Sequence, residues 1–166
     1  MDETKQAETA PPVDRVIDVP PSECSLARAI GEIGDAWTLL ILREVICGVT
    51  RFEKMQEDLG ISRAVLSDRL QKSVEFGLLE KVEHREPGQR MRHRYALAPK
   101  GRALLPALLA LRQWADDFLR DEPSRTVFCD KDMSRVTVLI TNEAGEQTSV
   151  NDVIATTVDD IDARSG

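Results

Sequence analysis

Apolar residues recur every three or four positions through most of the chain between residues 25 and 119. That spacing is typical of helices with one buried face. The helix after Asp35 is apolar on most sides, which places it in the core, and Asp35 is expected to cap it. The pattern predicts five helices: Ser25–Ile33, a second from its Asp35 cap to Gly48, Arg51–Leu59, Ser62–Glu75 and approximately Pro99–Leu119.

The arrangement of the third and fourth helices is the most informative part of this pattern. Gly60 predicts a tight turn between them, and Ser62 is a good N-cap for the fourth. Two predicted strands, Leu78–Val82 and His93–Leu97, follow around a Pro87–Gly88 turn. Such a layout is that of a winged helix-turn-helix, whose second helix enters the major groove of DNA.

The ends of the chain differ from its middle. Residues 1–22 are expected to form a disordered acidic arm, and 23–120 a winged-helix domain that binds DNA and dimerises. Residues 121–166 have β-type composition and suggest a small acidic appendage with a frayed end. The predicted fold class is therefore α+β and mainly helical, with a small C-terminal β-rich appendage. Pro106 is expected to bend the last helix near its start.

Charge follows the same division. The formal net charge is −7, yet residues 24–120 hold 16 basic and 13 acidic side chains, and the excess acid lies at both ends. A local basic patch, rather than the total charge, governs phosphate binding. The composition is therefore compatible with a nucleic-acid partner.

Several other classes of protein are disfavoured. No uninterrupted apolar run is long enough for a membrane span, and the three widely spaced cysteines fit a reducing cytoplasm. Without a CxxC pair we expect no metal, and no cofactor motif is present. A Gly-rich phosphate loop, GxSxG and HExxH are all missing, so we do not expect an enzyme.

The candidate DNA-binding residues lie on the fourth helix and on the hairpin. Helix residues are selected because they oppose its apolar positions, and hairpin arginines because they share one strand face that could reach phosphates. An ordinary solvated or salt-bridged arginine is the alternative for Arg63 and Arg69. The candidates are Ser62, Arg63, Ala64, Ser67, Asp68, Arg69, Arg90, Arg92 and Arg94.

Two further groups of residues are candidates for regulation and assembly. Cys24 lies just before the first helix, where a helix N-terminus can stabilise a thiolate, so it is a redox-sensing candidate; an inert small hydrophobe is the alternative. Apolar side chains of the first, second and last helices are candidates for a dimer interface or an effector pocket. These are Leu26, Ile30, Trp37, Leu108, Leu111, Trp114 and Phe118.

The stretch from Cys24 to Leu119 resembles HxlR-type winged helix-turn-helix transcriptional regulators, which are distant relatives of the MarR type. The matching segments run in order and cover most of that stretch. Besides Cys24–Gly34, they are DAWTLLILRE (35–44), RFEKMQEDLGIS (51–62), LSDRLQKSVEFGLLEK (66–81) and YALAPKGRAL (95–104).

The resemblance implies a homodimer formed mainly by the first and last helices, binding double-stranded DNA at a pseudo-palindromic operator. It implies repression more than activation, and a small-molecule effector or oxidant that changes affinity. Longer members carry zinc-ribbon-like cysteines where this chain has Thr141 and Ala144, so metal binding there is not expected. The alternative, favoured by the acidic ends, is a winged-helix module that binds proteins without sequence-specific DNA binding.

Overall fold

The computed structural model describes residues 17–84, 92–122 and 124–165. These residues divide into a compact unit spanning Ser25–Thr137 and a second unit contributed by both ends of the chain. The first unit contains, in order, α1 (Ser25–Ile33), α2 (Ala36–Ile46), α3 (Phe52–Leu59), α4 (Arg63–Glu75), β1 (Leu79–His84), β2 (Arg92–Leu97), α5 (Pro99–Arg102) and α6 (Leu105–Phe118).

Helix α2 forms the centre of the core. It packs against α3, α4 and β2, and its Ile41 and Leu42 are fully buried. Since it is apolar on most sides, it can serve as the support against which the other elements are placed. The cluster around it consists of Ile41, Leu42, Val45, Met55, Ile61, Leu66, Leu70, Leu78 and Leu79.

The two strands form an antiparallel hairpin that starts directly after α4. Leu79 pairs with Leu97, and the register continues to His84 opposite Arg92. The predicted strands are confirmed, with bounds shifted by one or two residues. The mainly helical α+β class and the winged helix-turn-helix layout are confirmed as well.

The predicted continuous helix Pro99–Leu119 is wrong. The chain forms a single helical turn, α5, and then a turn at Ala103–Leu104, whose backbone stays in the right-handed helical region, before α6 begins at Leu105. Pro106 lies in the first turn of α6, where its missing N–H costs nothing, whereas inside a longer helix it would remove a hydrogen bond. Proline therefore starts a new helix here rather than bending an old one.

The C-terminal residues contain less regular β-structure than their composition suggests. Two antiparallel bridges, Cys129–Arg135 and Thr141–Gln147, each close a tight turn. A short 3₁₀ turn at Val150–Asp152 follows, and α7 (Val158–Ser165) occupies the place of the expected frayed end. Acidic residues in the first turn of α7 suit the positive end of a helix dipole.

Neither a membrane span nor a metal cluster is found in the described ranges. No helix there is both long and apolar enough to cross a bilayer. Among the same residues, no three His, Cys, Asp or Glu side chains come together as a metal site.

Candidate nucleic-acid interface

The turn between α3 and α4 fixes the direction of α4. Gly60 ends α3 in the left-handed region, with φ of 64°, which glycine adopts without steric cost. Ile61 is buried and anchors the turn to the core. The Ser62 hydroxyl then accepts a hydrogen bond from the Val65 N–H at 3.2 Å and caps α4. Both predicted signals, the glycine stop and the serine cap, are confirmed.

Helix α4 has one buried side and one exposed side. Leu66, Leu70 and Ser73 are buried, and the helix packs against α2. Ser62, Arg63, Ala64, Ser67 and Asp68 are all exposed. The helical pattern of apolar residues assigns Val65 to the buried side as well, but it is 37% exposed. The first two turns of α4 therefore present polar and small side chains on a firmly supported element.

Arg63 has a defined position at the start of α4. Its guanidinium lies over the ring of Phe52, with 4.8 Å between Cζ and the ring centroid. Such cation–π stacking restricts the arginine without neutralising its charge. The side chain is therefore partly preorganised and still available to a phosphate or a base edge.

Arg69 has a different environment from the other α4 candidates. Its Nε lies 3.2 Å from Oδ2 of Asp35, and the side chain is partly buried. Asp35 also caps α2 by accepting hydrogen bonds from the N–H groups of Trp37 and Thr38. The structure thus uses Arg69 to tie α4 to α2, and we remove it from the proposed DNA contacts.

Asp35 is correspondingly stabilised as an anion. Partial burial raises the pKa of Asp35, but hydrogen bonds from Thr38 and Trp37 and the charge of Arg69 outweigh it, so the net pKa is lowered. The strongest contact is the 2.7 Å hydrogen bond that the Thr38 hydroxyl donates to Oδ2. A charged Asp35 can therefore cap α2 and hold Arg69 at once.

A groove of about 350 Å³ separates α4 from the hairpin. Arg63 and Ser67 line its α4 side, while Lys81, His93 and Tyr95 line its strand side. Lys81 and Tyr95 are paired in the hairpin register. Sequence analysis did not single out Lys81 or Tyr95, although strand alternation places Tyr95 on the same face as His93.

The groove carries both signs of charge. Arg63 and Lys81 contribute positive charge, and Glu53 of α3 lies in the same lining. Burial raises the pKa of Tyr95, and the Glu53 carboxylate raises it further, so its hydroxyl stays a neutral hydrogen-bond donor at physiological pH. Elsewhere on α4, Lys72 pairs with Asp68 at 3.0 Å, which offsets the negative charge of that candidate.

The hairpin candidates are only partly described. Arg90 lies outside the described residues, and for Arg92 only the backbone, in β2, is described. Arg94 is partly buried and lies on the strand face opposite His93 and Tyr95. The described strand residues that reach the groove are therefore Lys81, His93 and Tyr95 instead of Arg94.

Comparison with known proteins places this geometry in a wider group. The model of the HxlR-like helix-turn-helix family matches residues 32–123, more than half of the chain. An uncharacterised HTH-type transcriptional regulator of Mycobacterium tuberculosis, Rv3095, is 44% identical over 95 residues. That match spans 57% of this chain and 59% of the relative, so less than two thirds of the relative's length is covered.

Solved structures show the same relationship. PA1607, assigned as a transcription factor, has a TM-score of 0.69 and 31% identity, covering 81% of this chain and 95% of that one. A transcriptional regulator of the MarR family from Enterococcus faecalis has a TM-score of 0.50 and 29% identity, covering 63% of this chain and 94% of that one.

Proposed function

We propose a mode of action from the premise that the chain belongs to the HxlR-like helix-turn-helix family. It is thus a transcription regulator with a helix-turn-helix DNA-binding fold. It acts as a homodimeric repressor that places α4 of each protomer in the major groove of a pseudo-palindromic operator. The hairpin lies against the adjacent backbone. A small-molecule or redox signal changes the affinity for DNA.

The observation that carries this proposal is the exposed N-terminal half of α4 beside a groove with cationic side chains. Ser62, Arg63, Ala64 and Ser67 are exposed on a helix whose other side is buried against α2. Such a helix can enter a major groove while the contacts of its buried side stay intact. Lys81 and His93 line the hairpin side of the same groove, where the phosphate backbone of the DNA would pass. Arg90 and Arg92 of the hairpin stay predicted phosphate contacts.

Dimerisation is supported by apolar side chains that the described residues of the unit leave exposed. Helix α1 buries none of its residues, and its Leu26 and Ile30 are exposed. On α6, Leu111, Trp114 and Phe118 are exposed too. Exposed apolar faces on two helices favour association with a second copy. Two α4 helices about 34 Å apart would then read half-sites one DNA turn apart.

Selection of bound sequences from random duplex DNA at near-physiological salt tests the proposal. We expect an enriched inverted repeat with half-sites about one helical turn apart. A reporter gene behind that repeat should be expressed less when the protein is present. Absence of enrichment, together with capture of an acidic protein partner by the same basic surface, would favour the protein-binding module instead.

The redox form of the proposed signal depends on Cys24, which is partly buried and directly precedes Ser25 of α1. Oxidation would join two Cys24 thiols, one from each protomer, into a disulfide, with peroxide reduced to water. Non-reducing electrophoresis after mild peroxide should show a dimer band that Cys24→Ser abolishes. The same treatment should weaken operator binding by the wild type only. Without that band, the signal would be a small molecule.

A further inference from the structure

Helices α2 and α6 leave an apolar cavity between them that the proposed DNA contact does not use. It measures about 300 Å³, within the range of small-molecule sites. Leucines of both helices and Ile46 make up half of the residues that line it, and Cys47 lies in the same lining. Of the sequence candidates for an effector pocket, Leu108 and Leu111 contribute to it.

The third wall of this cavity comes from residues that follow the matched family region, which ends at residue 123. Phe128 and Thr126 both line the cavity. Arg112 of α6 holds this segment in place, because its Nη2 donates to the Thr126 carbonyl at 2.7 Å and its guanidinium lies 5.5 Å from the centre of the Phe128 ring. The cavity is therefore completed by a segment outside the helix-turn-helix region itself.

The charged side chains in the lining are both arginines, Arg43 and Arg112, and no carboxylate is among the described lining residues. Arg43 forms an ion pair with Glu44, and Arg112 forms one with Asp116. In addition, Nε of Arg112 is buried without a hydrogen-bond partner among the described residues. A buried donor without an acceptor costs free energy, which an anionic oxygen would recover.

From these walls and charges we propose that the cavity binds a small amphipathic carboxylate, with its aryl or alkyl body between α2 and α6 and its anionic group at Arg112 and Arg43. Such a ligand touches α2, which supports α4, and α6, which carries the proposed dimer face. Its binding would therefore change the spacing of the two α4 helices. This regulatory step rests on the proposed function, whereas the binding itself does not.

Calorimetry on the full chain without DNA tests the binding step. The probes are 2-naphthoate, 4-phenylbutyrate and decanoate, each compared with the alcohol of the same carbon skeleton. We expect at least one acid to bind about tenfold more tightly than its alcohol, the difference that a hydrogen bond to a charged group supplies. The bound acid should also slow alkylation of Cys47 while leaving Cys129 unaffected. No acid binding, or equal binding of acid and alcohol, would overturn the proposal.

Three variants separate the contribution of the arginine charge to ligand binding from the contribution of the cavity itself. Arg112→Gln should weaken acid binding about tenfold and leave alcohol binding nearly unchanged. Ala115→Phe, which fills the lining, should abolish the binding of both. Arg120→Gln is the matched control, since the Nε of Arg120 donates to the nearby Glu122 carbonyl and its side chain does not line the cavity. Circular dichroism establishes that each variant is folded.

A last comparison separates this inference from the proposed function. DNA affinity is measured with and without the acid, for the wild type and for Ala115→Phe. If DNA binds but no acid does, only the cavity proposal fails; if an acid binds but no DNA sequence is selected, only the DNA proposal fails. Before any acid is added, alkylation of Cys47 that slows as the protein concentration rises would show that a second copy covers the cavity, and that would overturn the proposal too.

Discussion

Arg63 is the side chain whose removal should report most directly on DNA recognition. It is exposed at the first position of α4 and held over Phe52. Arg63→Ala should reduce affinity for the selected operator by about 1–3 kcal/mol. Fluorescence anisotropy with labelled duplex measures this, and Arg125→Ala, an exposed arginine outside the helix-turn-helix, is the control. Unchanged operator affinity in Arg63→Ala would remove Arg63 from the interface.

Asp35 should make stability depend on pH in a predictable direction. Its folded-state pKa is lowered from the ordinary 3.8. The unfolded state therefore binds protons more readily, so the stabilisation is fully present above about pH 4 and is lost as pH falls through the folded-state pKa. Asp35→Asn keeps a capping oxygen but cannot form the ion pair with Arg69.

The expected result is a difference in unfolding free energy between wild type and Asp35→Asn that is largest at neutral pH. It should shrink as pH falls below about 4. Urea unfolding at a series of pH values measures it. Asp117→Asn, at an exposed position of α6, provides the control for loss of one carboxylate. A difference that stays constant with pH would mean that the charge of Asp35 does not contribute.

At the level of elements, the groove between α4 and the hairpin gives a prediction for salt dependence. Lys81 lines that groove, so Lys81→Ala should weaken specific and non-specific DNA about equally and reduce the salt slope by about one. Binding at several salt concentrations measures the slope. Lys131→Ala, an exposed lysine after α6, should leave it unchanged. An unaltered salt slope in Lys81→Ala would mean that the DNA phosphates do not contact Lys81.

The contact between α5 and the start of β1 requires glycine. The Leu78 carbonyl accepts a hydrogen bond from the Ala98 N–H at 3.0 Å, and a Cβ on Gly101 would lie 2.1 Å from the same oxygen. Gly101→Ala should therefore destabilise the fold by about 1–3 kcal/mol, since α5 must move. Gly31→Ala in α1 meets no atom within 4 Å and should be neutral or stabilising. Thermal unfolding of both variants compares them, and equal stabilities would contradict this account.

Local signals explain which elements could be predicted from the sequence. The caps at Asp35 and Ser62 and the glycine at position 60 act within four residues, so they are visible without a structure. The pairing of Arg69 with Asp35 joins residues far apart in sequence and needs the packing of α4 on α2. The break before α6 depends on whether Pro106 begins a helix or interrupts one, and the apolar pattern fits either arrangement.

At the scale of the whole molecule, the acidic net charge bears on how the protein can bind DNA and on why a second copy would help. The chain is acidic overall, with a pI near 4.9, so long-range attraction to DNA is weak and contact has to come from a local patch. The proposed homodimer would bring two such patches to the same duplex. Because both half-sites are then bound at once, the second contact is effectively intramolecular and adds affinity without new charge.

Breaking the dimer should therefore separate affinity for the full operator from affinity for a half-site. Phe118 is 72% exposed and Ile30 is 59% exposed, on the two helices of the proposed interface. A glutamate at either position would be buried unpaired at the interface, so Phe118→Glu and Ile30→Glu should each raise the dimer dissociation constant by at least about tenfold. Sedimentation velocity measures this change.

The same variants should bind the inverted repeat much more weakly than the wild type, while their half-site affinity stays close to normal. Leu139→Glu, at an apolar position that is 58% exposed in the other unit, is the matched control and should remain dimeric. If both interface variants remain dimeric, the two copies must associate through a different surface, and the spacing of the α4 helices must be set there. Equal loss on repeat and half-site would instead indicate that the substitutions disturb α4 itself, because a monomer with intact α4 keeps its half-site contacts.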